Sequence, residues 1–176
     1  MSAHTFPSNI ALDSDQEEAS IRLVLERLDD AWNEHDARAF AEPFCEDADF
    51  TNVRGMQAHG RAGVERFMEP LFATMFADSE QRILSSTSRF LTKDLAAVDA
   101  WWTMDGALTP YGQLRPTRYG LASLVMRKDP DCWRILLWHN MELEGPPPED
   151  PSTWRPVIFH HESPPHPPLG SHRQGV

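Results

Sequence analysis

Three polar residues could move a proton or hold a small polar group: His139, Asn52 and His59. His139 falls in a run of alternating character from 132 to 144, where period two groups it with Ile135, Leu137, Met141 and Leu143. That apolar set is expected to face inward. An imidazole among such neighbours titrates near neutral pH and can act as a general acid or base, or it can be a core histidine satisfied by a backbone carbonyl. Asn52 alternates with Phe50 and Ala48, so it too is expected to point inward at a strand end. A buried amide needs a partner, and a ligand carbonyl or hydroxyl, His139 or the first helix would each serve. His59 lies in a predicted loop bracketed by Gly55 and Gly60, either solvated or as a second ionisable group at a pocket rim. In the catalytic version His139 transfers the proton, and Asn52 orients the substrate or steadies an oxyanion.

Trp32, Phe50, Phe72, Trp102, Tyr119 and Met141 are the candidate ligand-binding walls, although aromatic residues at such spacing also serve as plain core. The same holds for Met68, Met75 and Met104. On the strand 95–105, Val98, Ala100, Trp102 and Met104 form the more apolar parity, which puts Asp99 and Asp105 outside; were the faces reversed, Asp99 would be a candidate acid or base. Arg61 and Arg118 could receive an anionic group or meet a surface carboxylate.

The chain has 176 residues and a formal net charge of -11, from 27 acidic and 16 basic residues. Such a charge repels phosphate backbones and anionic lipid headgroups, which argues against nucleic-acid or membrane-surface partners. No apolar run approaches the roughly 20 residues of a membrane span, and the N-terminus lacks a secretory pattern, so a cytosolic (cytoplasmic) protein is expected. Cys45 and Cys132 are the only cysteines, too few for a disulfide framework and without metal-ligand spacing. No GxGxxG, P-loop, HExxH or GxSxG pattern occurs, so neither a cofactor nor a dedicated metal site is expected.

These residues must be positioned by two kinds of element. Ser14-Asp15-Gln16-Glu17 has the form of a capping box, followed by the stripe Ile21, Val24, Leu25, Leu28 and Trp32. A short helix over 37–44, a strand over 48–53 and a third helix from about Arg61 come next. From Gln81 the period becomes two, and strands are predicted over 81–92, 95–105, 118–128 and 132–144, joined by turns at Lys93-Asp94 and Asp129-Pro130-Asp131. The fold class is therefore α+β, with N-terminal helices on a curved antiparallel sheet whose centre is the 118–144 hairpin. The domain limits are an arm over 1–13, a domain over 14–144 and a tail over 145–176, which holds nine of the 15 prolines and four of the eight histidines. Leu124, Met126, Leu136 and Trp138 are expected on an outer face too apolar to stay exposed, which favours a homodimer.

The order of elements, with Ala31-Trp32-Asn33, the run from Asp47 to Val53, Gly55, Gly60-Arg61, Trp133-Arg134-Ile135 and His139-Asn140, resembles the SgcJ/EcaC branch of the nuclear transport factor 2-like superfamily, related to SnoaL-like proteins. The resemblance covers about residues 14–144. It implies a cone enclosing a small-molecule ligand, homodimers in many members, and functions ranging from isomerases, dehydratases and cyclases to ligand binders and dimerisation modules. The ketosteroid isomerases of this fold place their base, tyrosine and acid where this chain has Asn52, Leu28 and Ser123. An amide cannot shuttle a proton, so that mechanism is not implied.

Overall fold

The computed structural model describes residues 9–130 and 132–147, with side chains in the first helix described from Ser14 onward. The elements are α1 (Asn9–Asn33), α2 (Ala37–Ala41), β1 (Phe44–Thr51), β2 (Gln57–His59), α3 (Arg61–Phe72), β3 (Glu80–Thr92), β4 (Leu95–Asp105), β5 (Arg118–Lys128) and β6 (Trp133–Leu143). The last four match the predicted strands to within one or two residues, because uninterrupted alternation between tight turns leaves little freedom in the boundaries.

Helix α1 buries the predicted stripe: Ile21, Val24, Leu25, Leu28 and Trp32 are all at most 7% exposed, and Ala31 beside them is buried too. It starts at Asn9, five residues before the expected capping box. Ser14 is therefore an interior residue, and Glu17 instead meets Lys128 Nζ on β5 and accepts 2.7 Å from the Trp133 indole on β6. At the other end, Asn33 forms a two-bond pair with the backbone of Gln81, and Asp29 Oδ2 accepts 2.6 Å from Ile83 N. The helix is thus tied to three strands by polar bonds that flank an apolar seam. His35, at φ 54°, closes it in a Schellman arrangement, with Asp36 N donating to Ala31 O and His35 N to Trp32 O. Burial pushes the Asp29 carboxyl above its ordinary value, opposed by the Ile83 amide.

One sheet holds all six strands in the order β2-β1-β6-β5-β4-β3, so the β5–β6 hairpin is central. Pairing is antiparallel except between β1 and β6, which run parallel. The short-turn argument fixes only strands that follow each other in sequence. β1 reaches β6 through α3 and four intervening strands, and a connection of that length permits either direction.

Several local expectations are corrected. The second helix stops at Ala41, and β1 begins at Phe44, four residues before the predicted strand. Asn52 lies just beyond β1, and His59 ends a short strand instead of sitting in a loop. Gly60, at φ +70°, makes the turn into α3, where a Cβ would meet Glu46 O at 2.6 Å. Leu124, Met126 and Trp138 are core residues at 5% exposure or less and Leu136 packs against them, so they are not the outer face. That face carries Trp101, Tyr119, Leu121, Val125 and Leu137, all half-buried. Cys45 is buried and Cys132 half-buried, both free thiols. Among the described residues no helix is long and apolar enough to cross a membrane. The tail beyond 147 lies outside the described residues.

The Glu17 clamp makes a pH-dependent contribution. Its hydrogen bond to Lys128 holds the Glu17 carboxyl below the ordinary value of 4.5, so its stabilisation is present above that value and fades as pH falls through the lowered one. Glu17→Gln is expected to cost about 1 kcal/mol at neutral pH. In urea titrations the gap from the wild type should close well below pH 4.5; a gap independent of pH would contradict the clamp.

Candidate functional site

The chamber lies between α3, the end of α1 and the concave face of the sheet. Its apolar walls include Trp32, Phe50, Phe67, Met68, Leu71, Met75, Phe76, Trp102 and Leu108, and its volume, open mouth included, is about 650 Å³. The part that a water-sized sphere can enter is about 70 Å³, so the chamber is narrow in this state. Trp32 is held by its indole bond to Ser79 Oγ at 3.1 Å and by edge contacts with Phe40 and Phe72. Trp102 crosses β5 where Gly120 leaves room: a Cβ there would stand 2.0 Å from the indole. Its Nε1 donates 2.8 Å to Asn140 Oδ1.

One end of the chamber is polar, lined by Asn52, Arg54, Arg115, Arg118 and Asn140. The Arg118 side chain is only 5% exposed. It grips Glu142 through two bonds, Nε to Oε1 at 2.7 Å and Nη2 to Oε2 at 3.1 Å, and lies 5.7 Å from the centre of the Trp102 ring. Arg115 Nη2 reaches the same carboxylate at 3.0 Å. The Arg118 hydrogen bond holds the Glu142 carboxyl below its ordinary value against the cost of desolvation, and the charges of Arg118, Arg115 and Arg54 add to this. An acid held ionised in this way is a weak base. Arginine is the only titratable residue type lining the chamber among the described residues.

His139 is not among these residues. The ladder between β5 and β6 pairs Val125 with Leu137 and Met126 with Ile135, so Leu136 is an extra residue and the strand reverses its faces there. Ile135 and Trp138, three apart, are both buried, whereas His139 is exposed. The expectation that His139 faces inward with Met141 and Leu143 is therefore corrected, and Asn140 takes the inward place. His139 lines a shallow outer depression with Asp49, His59 and Leu137. There His59 Nδ1 lies 2.9 Å from Asp49 Oδ1, with the two side chains 74% and 66% exposed.

Asn52 does reach the chamber, but its Oδ1 accepts from the amides of Arg54 and Met56 at 2.9 and 3.0 Å, which leaves only its Nδ2 for a ligand. Of the expected walls, Trp32, Phe50 and Trp102 line the chamber. Phe72 stands behind Trp32, in contact at 5.1 Å between ring centroids. Tyr119 and Met141 occupy the outer parity, Met141 being 45% exposed. Asp99 also faces outward, as expected, and accepts 2.6 Å from Ser123 Oγ. Arg61 binds Glu46 and the carbonyl of Phe44 and so braces β1.

Sequence reasoning missed Arg54, Arg115 and Asn140. The unbroken apolar run Ile135-Leu136-Leu137-Trp138 was the available signal for the bulge that turns Asn140 inward. Arg54 and Arg115 sit in loops, where no periodicity marks direction.

No curated protein matches the chain in sequence. Among solved structures, an uncharacterised Caulobacter vibrioides protein with a cystatin-like fold is 24% identical over 73% of this chain and 90% of its own, with a TM-score of 0.67. A Nostoc punctiforme domain of unknown function with the same fold is 26% identical over 74% and 79%, TM-score 0.63. A Novosphingobium aromaticivorans protein described as NTF2-like with a cystatin-like fold is 21% identical over 81% and 94%, TM-score 0.67. These likenesses agree with the helices and the curved sheet. A family model described as a SnoaL-like domain matches residues 25–123, more than half of the sequence, and the chain belongs to that family.

Proposed function

We propose that this protein binds a small, largely apolar molecule in the chamber, with its polar end against Arg118 and Asn140. The observation that carries the reading is the division of the lining into aromatic and methionine walls and one polar end. Within the family we place the chain nearest the SgcJ/EcaC branch, on the strength of Ala31-Trp32-Asn33 and the run Asp47 to Val53. The reading puts binding in the cytosol, where Cys45 and Cys132 would stay reduced.

A second reading is catalysis: isomerisation, dehydration or cyclisation of a bound carbonyl compound. The guanidinium cluster favours it, since donors fixed in a half-dry site stabilise an enolate oxygen. The proton would have to pass through water or the substrate's own groups, because His139 and His59 stand on the outer face. His139→Gln is then expected to leave turnover within about 2-fold, where loss of a general acid or base costs roughly 100-fold.

The protein is also proposed to be a homodimer, through the outer sheet face of Trp101, Tyr119, Leu121, Val125, Leu137 and Met141. A second copy presenting the same face would cover this apolar surface.

Binding is tested by native mass spectrometry of protein purified from its own host and by tryptophan fluorescence on adding back the co-purified compound. Met75→Trp should fill the chamber and abolish retention with the circular dichroism spectrum unchanged; retention by this variant would place the ligand elsewhere. For assembly, sedimentation should give twice the 20.0 kDa chain mass at micromolar concentration, and Leu121→Glu should give the monomer. A monomeric wild type would overturn the dimer.

A further inference from the structure

We infer that the molecule held in the chamber carries a carboxylate, an inference that rests on the binding reading above and names its substrate class. The polar side chains lining the chamber offer it mainly donors. Asn52 Oδ1 is taken by two backbone amides, so that amide presents only its NH₂ group, whereas Asn140 Oδ1, which accepts from the Trp102 indole, keeps one lone pair. The indole hydrogen of Trp32 is taken by Ser79, and that of Trp102 by Asn140. Arg54, Arg115 and Arg118 are donors by nature. A ligand hydroxyl or amine would find only the remaining lone pair of Asn140 Oδ1 as a side-chain acceptor there, whereas a carboxylate accepts only.

Charge narrows the choice from any acceptor to an anion. Three guanidiniums share one carboxylate, that of Glu142. Arg54 has no ion pair or side-chain hydrogen bond among the described residues, and it stands at the chamber lining. A neutral ketone would satisfy the donors but make no use of this excess positive charge. The site already shows how it handles a carboxylate: Arg118 holds Glu142 in a planar two-bond fork, and Arg115 adds a third bond. This concentration of positive charge occurs in a chain of net charge -11, so it is a local feature and not the general character of the surface. The apolar walls then select an aryl or short hydrocarbon acid over a small hydrophilic one.

The test compares matched probes by isothermal titration calorimetry at physiological salt: benzoate with benzamide, 2-naphthoate with 2-naphthamide, and the cationic 2-naphthylmethylammonium. The acid of at least one pair should bind about 10-fold or more tighter than its amide, and the ammonium should not bind. Arg54→Gln and Arg115→Gln, both at exposed or half-exposed positions, should each lower the acid-to-amide ratio about 3-fold. Arg89→Gln, on an exposed stretch of β3 away from the chamber, should not change it. Equal affinity of acid and amide, or an unchanged ratio in both chamber variants, overturns the carboxylate inference and leaves binding standing. Failure of every acid and amide to bind overturns the binding reading and the inference together.

Discussion

The extra residue at Leu136 decides what the chamber contains. Before it, β6 sends Trp133 and Ile135 into the core; after it, the inward residues are Trp138, Asn140 and Glu142. A regular strand would instead bring His139 and Met141 inside and carry Glu142 away from Arg118, leaving a buried guanidinium without its counter-charge. Because Glu142 is itself 31% exposed, the cost is that of leaving one buried donor group unpaired, about 1–3 kcal/mol. The bulge also turns Trp138 onto Phe40, Phe44 and Phe50. Its indole hydrogen is left without an acceptor among the described residues, a loss that the ring contacts must offset.

The polar end hangs on this register. Asn140 can receive the Trp102 indole only because it faces inward, and Trp102 can lie over β5 only because position 120 has no side chain. With Trp102 fixed, the Arg118 guanidinium is held against its ring and aimed at Glu142. Two sequence-distant strands thereby set one another's side chains. The chamber's chemistry is accordingly electrostatic: it has cations and amide donors, and its nearest carboxylate is held ionised.

Much of this architecture was legible in the sequence. The stripe of α1 and the four long strands follow from hydrophobic period and turn residues, which are local signals. The inward parity of Val98, Ala100, Trp102 and Met104 followed from the same rule, and so did the outward place of Asp99. Parity failed on β6 because one inserted residue reverses all that follows, and three of the expected site residues, His139, Met141 and the neighbouring rim group His59, went to the outer face with it or beside it. The start of α1 was misread because Glu17 has the spacing of a capping box but serves a lysine 111 residues away. The parallel pairing of β1 with β6 was invisible for the same reason: it depends on contacts between distant segments, not on turns.

The central claim is that the register of β6 gives the chamber Asn140 and gives the outer surface His139. It is tested most directly by NMR of the uniformly ¹⁵N-labelled protein, following assigned side-chain signals as 2-naphthoate is added. The account predicts that the Asn140 and Asn52 amide NH₂ resonances shift with ligand while the His139 ring resonances stay where they are. A ligand-dependent shift of the His139 ring signals, with the Asn140 amide unmoved, would contradict it.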